Sequence, residues 1–188
     1  MPDIESLYKK ADGKILIEIK LSSIMQLYNS FDPSPFHEKE LDTDAEKYII
    51  NTIKDFPAKT ECKLVIHLPA DLAQSEGAKT LVSAIHNHFE YKTMATERKF
   101  RQRLKYGRTA LLIGLCFLFL NLIIRHLILQ MSDLIVPQLI AEALLIIGWV
   151  AMWEPITVLL YELWPIIQTK KVYQKVSTME IDIRPSTG

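Results

Sequence analysis

Glycine and cysteine are both scarce in this sequence, six and two residues in 188, and each scarcity removes a class of chemistry. No glycine-rich loop is present to wrap a phosphate, and no serine or cysteine sits in a strand-to-helix elbow that would expose a nucleophile. Cys62 and Cys116 are too few for a disulfide framework. The first falls in a strand pattern and the second in an apolar run, so both are expected to be free and reduced. The opening Met1-Pro2-Asp3-Ile4-Glu5 has neither the basic nor the apolar region of a cleavable signal. Internal repeats and low-complexity segments are absent as well. Net charge is also missing, since 22 Lys and Arg balance 22 Asp and Glu.

What the chain has instead is apolar length. A bilayer core of about 30 Å takes roughly 20 apolar residues in a helix. Thr109 to Gln130 and Val136 to Thr157 each reach that length, joined by Met131-Ser132-Asp133. A two-helix transmembrane hairpin is expected, with its first span acting as the insertion signal. The balanced charge is unevenly placed around it: residues 1–90 carry 10 basic and 15 acidic side chains, whereas residues 91–108 carry seven basic ones against Glu97 alone. Arg98, Lys99, Arg101, Arg103, Lys105 and Arg108 lead into the first span, and Lys170 and Lys171 follow the second. Basic flanks stay on the cytoplasmic side, so both termini are expected in the cytosol. Contact of the basic run with a span argues for anionic headgroups rather than nucleic acid as its partner.

The remaining residues read as one small domain. Lys14 to Leu21 alternates with period two, Ile15, Ile17, Ile19 and Leu21 opposing Lys14, Glu18 and Lys20; Cys62 to Leu68 and Thr178 to Arg184 do the same. Asp12-Gly13 is a turn signal before the first of these. Between the first two strands, Thr43-Asp44-Ala45-Glu46 fits a capping box that opens a helix running to about Phe56. Its apolar positions are Ala45, Tyr48, Ile49 and Ile53. Strand, helix, strand predicts a parallel pair. A second helix, from about Ser75, carries a stripe of Leu81, Val82, Ile85, Phe89 and Tyr91 and is unbroken by proline up to the membrane.

The fold class expected is therefore an α+β cytosolic domain, a small sheet of about three strands with helices on one face, plus the transmembrane hairpin. Its parts are the domain over 1–90, a basic helical stalk over 91–108, the hairpin over 109–157, an interfacial or juxtamembrane segment over 158–175 and a C-terminal strand within 176–188 that returns to the sheet.

Polar groups inside the spans are the main functional candidates, because burying one in lipid is costly without a partner or purpose. Asn121 and Arg125 share a face with Gly114, Gln138 and Glu142 lie four apart, and Arg125 and Glu142 fall at similar depths. Together they form a candidate intramembrane polar seam. Trp153-Glu154-Pro155 predicts a kink or helix end, since Pro155 cannot bond the Ala151 carbonyl; Gly107, Glu154 and Pro155 are candidate hinge positions, and Pro165 is a further break. His86, His88 and Glu90 resemble a metal set only in composition: His86 and His88 point about 200° apart on a helix, and two ligands are too few for zinc. Ser22-Ser23 is the nearest thing to an anion site at a helix start. No metal, cofactor or enzymatic activity is expected. Phe31 and Phe36, in the loop Asp32 to Asp42 or beside it, are candidate partner contacts, with burial in the domain core as the plainer alternative.

The segment Leu27 to Ile50, LYNSFDPSPFHEKELDTDAEKYII, followed by KLVIHL and the long helix into the hairpin, resembles a group of uncharacterised bacterial two-span membrane proteins. That resemblance implies the same architecture and a bacterial inner membrane, and brings no activity or ligand. The function expected is a self-assembling scaffold, a homo-oligomer that anchors a cytosolic protein partner at the lipid bilayer. The alternative is a small oligomeric channel or transport component with a path lined by Asn121, Arg125 and Glu142.

Overall fold

The computed structural model describes residues 8–29, 31–32, 40–131 and 134–186. It is a mixed α/β fold of two compact units, Met1–Ala95 with Thr169–Gly188, and Thr96–Gln168.

The first unit is built on a four-stranded mixed sheet in the order β1 (Lys10–Ala11), β2 (Lys14–Lys20), β3 (Cys62–Leu68), β4 (Glu180–Pro185). β2 and β3 are parallel, with Ile17 opposite Leu64, and β3 and β4 are parallel, with Leu64 opposite Ile181. The sheet has one strand more than expected. Asp12 (φ 51°) and Gly13 (φ 77°) both take left-handed backbone, which makes the two-residue hairpin turn that matches strand twist and folds Lys10–Ala11 antiparallel onto β2.

One face of the sheet carries the core. Ile15, Ile17, Leu64, Ile66 and Leu68 are buried together with Ile49, Ile50 and Ile53 of α1 (Thr43–Lys54), Ala78, Leu81, Ile85 and Phe89 of α3 (Glu76–Met131) and Val176 of α6 (Leu163–Ser177). Between β3 and α3 lies one turn of helix, α2 (Ala70–Ala73). The other face is a charged lattice around the buried Leu16 and Val65. Lys63 Nζ lies 2.5 Å from Glu180 and 3.4 Å from Asp182, and Lys14 Nζ is 3.0 Å from Glu180. Glu18 meets Lys9 at 2.9 Å and His67 at 3.2 Å. Hydrogen bonds from Lys63, then Lys14, push the Glu180 carboxyl down to about 2.

Three local expectations are corrected. The cap of α1 is Asp42, not Thr43: its carboxylate accepts from Asp44 N at 2.9 Å and Ala45 N at 3.4 Å, so Glu46 falls one position past the capping-box site and reaches elsewhere. Tyr48 is half exposed, donating its hydroxyl to the Glu18 carbonyl at 3.3 Å, and Ile50 takes the buried place instead. Tyr91 is exposed rather than part of the α3 stripe. At the start of α3, Ser75 Oγ accepts from Ala78 N at 3.2 Å, as a helix cap should.

In the second unit the C-terminal part of α3 lies antiparallel to a broken helix: α4 (Ile135–Val150), α5 (Trp153–Thr157), a π-helical turn (Val158–Glu162) and the start of α6. Gly107, Gly114 and Asn121, seven residues apart, are all buried on the contact face of α3. A Cβ on Gly107 would stand 2.9 Å from Val158, on Gly114 3.1 Å from the Ala151 carbonyl, and on Gly148 2.8 Å from Leu118. Absent side chains at these points let the backbones close up. The break at Ala151-Met152 falls at the carbonyl that Pro155 leaves without a donor. Pro165 does not break the helix, which runs on from the π-helical turn into α6. Its effect is felt upstream, where the Tyr161 carbonyl loses a donor and Leu163 N reaches back five residues to Val158 O.

Two helical stretches, Glu76–Met131 and Ile135–Ser177, are long and apolar enough to cross a membrane, with mean hydropathy 2.3 and 2.0 in their most apolar parts. Ser132 and Asp133 of the expected turn lie outside the described residues.

Candidate functional site

The antiparallel helices bring Arg125 and Glu142 together, Arg125 Nη2 donating to Glu142 Oε1 at 3.0 Å. The Glu142 side chain remains 58% exposed to its surroundings and that of Arg125 31%. Arg125 Nε is itself buried and meets no acceptor among the described residues. Asn121 is separated from this pair in role: it is buried and donates Nδ2 to the Phe117 carbonyl of its own helix at 2.8 Å. Gln138 lies in the first turn of α4, its backbone N–H bonded to Leu134 O at 3.4 Å. Of the four seam candidates, Arg125 and Glu142 bond to each other.

Where the basic run enters the second unit, its members diverge. Arg101 pairs with Glu97 at 2.8 Å one turn away. Arg103 bonds through Nε to Glu162 across the helix pair, and its guanidinium lies over the Tyr106 ring, 4.8 Å from the centroid. Tyr106 in turn donates to Glu154 at 3.1 Å. Lys99 lines the same cleft as Arg103, while Arg98, Lys105 and Arg108 are exposed and Lys170 and Lys171 lie along α6. Among the hinge candidates, Gly107 sits inside unbroken α3 packed against Val158 and Leu159, and Glu154 and Pro155 lie in the short α5 just after the backbone break.

In the first unit a cluster appears that the sequence did not suggest. Glu46 accepts from His88 Nε2 and from Lys92 Nζ, both at 3.1 Å, and from Tyr173 Oη at 3.4 Å. His88, 7% exposed, also takes the Leu41 N–H on Nδ1 at 3.4 Å. The two ring nitrogens of His88 thus face opposite partners, Nδ1 the Leu41 N–H and Nε2 the Glu46 carboxylate. The hydrogen bond from His88, reinforced by Lys92, holds the Glu46 carboxyl below its ordinary range against the cost of burial. The spacing of Glu46 to a histidine and a lysine four residues apart, His88 and Lys92, was visible, but only the docking of α1 on α3 shows that they meet. His86 points elsewhere, its Nε2 2.9 Å from the Met179 carbonyl, so His86, His88 and Glu90 do not converge. Ser22 and Ser23 are also spent locally: Ser22 N–H donates to Gln26 at 2.8 Å, and Ser23 Oγ caps the turn Ile24–Leu27 by accepting from Met25 N at 3.3 Å.

Phe31 is 93% exposed, its N–H bonded to Asn29 Oδ1 at 3.0 Å; burial of this ring in the core is therefore excluded. Phe36 lies outside the described residues. Comparison of the chain with family models, with curated proteins and with solved structures gives no match in any of the three.

Proposed function

We propose that this chain is an integral membrane protein of two spans, both termini cytoplasmic, in a bacterial inner membrane, and that it works without enzymatic activity as a self-assembling scaffold that anchors a cytosolic partner. Its apolar helical stretches are only 11% and 17% buried in their most apolar parts, which disfavours a soluble-core reading. They call for lipid or for other copies of the chain.

The observation that carries self-assembly is the Arg125–Glu142 pair. An ion pair whose carboxylate is more than half uncovered is expensive against hydrocarbon. A second copy laid against this face would enclose the pair. The partner-facing surface is the loop that displays Phe31. A polar path through the assembly is less favoured, because Asn121 is spent on the Phe117 carbonyl.

Native mass spectrometry in detergent tests the assembly, using Arg125→Leu, Glu142→Leu and the double variant. Wild-type oligomers are expected to weaken by about tenfold or more in each single variant, which strands one charge, and to stay weaker than wild type in the double variant, which removes the pair. A monomeric wild-type chain, or equal assembly in all four proteins, overturns the reading. Ion flux into sealed liposomes that Glu142→Gln abolishes would favour the channel instead.

A further inference from the structure

We propose that the cleft between α3 and the π-helical turn is a binding site for the phosphodiester headgroup of an anionic phospholipid. This inference rests on the membrane reading above and assigns a ligand to one place within it.

The cleft measures about 570 Å³, inside the range of about 300–1,000 Å³ typical of small-ligand sites. Lys99, Gln102, Arg103 and Tyr106 of α3 line it, Gln102 and Arg103 falling three and four residues after Lys99 and Tyr106 one turn further on. They supply ammonium, amide and guanidinium groups, while the Tyr106 hydroxyl is held by Glu154. The facing wall is Tyr161 and Glu162 of the π-helical turn with Pro165 and Ile166 of α6. Glu162 fixes Arg103 through Nε, and the Tyr106 ring supports the guanidinium from its face. Among the described residues no acceptor engages the two Nη groups, so a held, planar donor pair is presented to an anion. Lys99 stands one turn away on the same side.

Charge sets the ligand class. Two cations and one carboxylate leave the lining with one net positive charge, which complements one phosphodiester; the quaternary ammonium of a zwitterionic lipid would be repelled. Lipid is favoured over a soluble phosphate by the wall opposite the donors. Tyr161, Pro165 and Ile166 are ring and alkyl surface, and beside them Leu160, Tyr161 and Trp164 are 64%, 71% and 64% exposed, a surface suited to acyl chains and the headgroup boundary. Tyr161 and Glu162 reach this wall from within the π turn.

The test is lipid retention by the purified full chain in detergent, read by native mass spectrometry after equimolar phosphatidylglycerol and phosphatidylcholine are added. Phosphatidylglycerol is expected to be kept about fivefold or more over phosphatidylcholine. Lys99→Gln, a side chain whose loss leaves the packing intact, is expected to cut retention about fivefold, and Lys99→Gln with Arg103→Gln further still. The control pair Lys47→Gln with Lys79→Gln removes equal charge from exposed positions outside the basic run and is expected to change retention by less than about twofold. Equal retention of the two lipids, equal loss from the control pair, or full displacement by water-soluble glycerophosphoglycerol overturns the lipid site. Alkaline carbonate extraction of the same membranes separates the two levels. Release of the chain overturns the membrane reading itself, whereas a retained chain with no lipid preference overturns only the cleft.

Discussion

Glu46 gathers donors from two other helices, His88 and Lys92 on α3 and Tyr173 on α6, so it fastens three elements that the apolar core alone could let slide. Removing it strands a histidine that is almost fully buried. Glu46→Ala is expected to lower the stability of the first unit by roughly 2–3 kcal/mol, measured by denaturant unfolding followed through an amide-exchange or fluorescence probe in that unit. The pH dependence has a defined sign. Glu46 and Glu180 are both lowered from the ordinary 4.5, Glu180 to about 2, so their contributions are fully present above about pH 4.5 and are lost as pH falls through the folded values. The midpoint of unfolding is expected to drop between about pH 4.5 and 2, less steeply in Glu46→Ala with Glu180→Gln. A curve unchanged by the substitutions would remove these two carboxylates as its cause. At this scale the sequence was a poor guide. Glu46 looked like a capping residue because Asp42 and Thr43 are adjacent potential caps and only the chain's entry angle decides between them.

Secondary-structure elements were far more legible. KILIEIK, CKLVIHL and the Glu180–Pro185 strand announce themselves through an alternation that only Leu16 and Val65, buried on the charged face, interrupt. Asp12-Gly13 carried more information than a generic turn, since two consecutive left-handed residues fit a two-residue hairpin and so imply β1. Gly13→Ala is expected to cost about 1–2 kcal/mol at φ 77°, seen as a lowered unfolding midpoint with the rest of the fold intact. The glycines of the helix pair were harder to read. Gly107, Gly114 and Gly148 are isolated in sequence, and only the antiparallel register shows that each faces a close backbone or side-chain approach. Gly148→Val would place its Cβ 2.8 Å from Leu118 before either methyl group is accommodated; a loss of roughly 1–3 kcal/mol in helix-pair stability is expected, measured as a lower denaturation midpoint in detergent. The proline effects were half legible. Both Pro155 and Pro165 remove a donor, but whether the outcome is a break, as at Ala151-Met152, or a π turn, as at Val158–Glu162, depends on packing against α3.

For the whole molecule, the informative fact is that the sheet draws its fourth strand from beyond both apolar helices. β4 lies parallel to β3, with Ile181 and Ile183 packed against the core. Truncation after Ser177 is therefore expected to do more than trim a tail. It bares the edge of β3 and removes the partners of Lys63, and limited proteolysis should cut the first unit at least about tenfold faster than in the full chain. Equal protease resistance would show that three strands suffice.

That connection also sets an order of events during synthesis. β3 ends at Leu68 and β4 begins at Glu180, so about 110 residues, roughly 5–20 s of ribosome time, separate a strand from its neighbour. Throughout that interval one side of β3 has its hydrogen-bonding groups open. A chain whose apolar helices stalled before reaching their place would keep that edge open, and a protease or chaperone that recognises bare strands could sort failed molecules from finished ones.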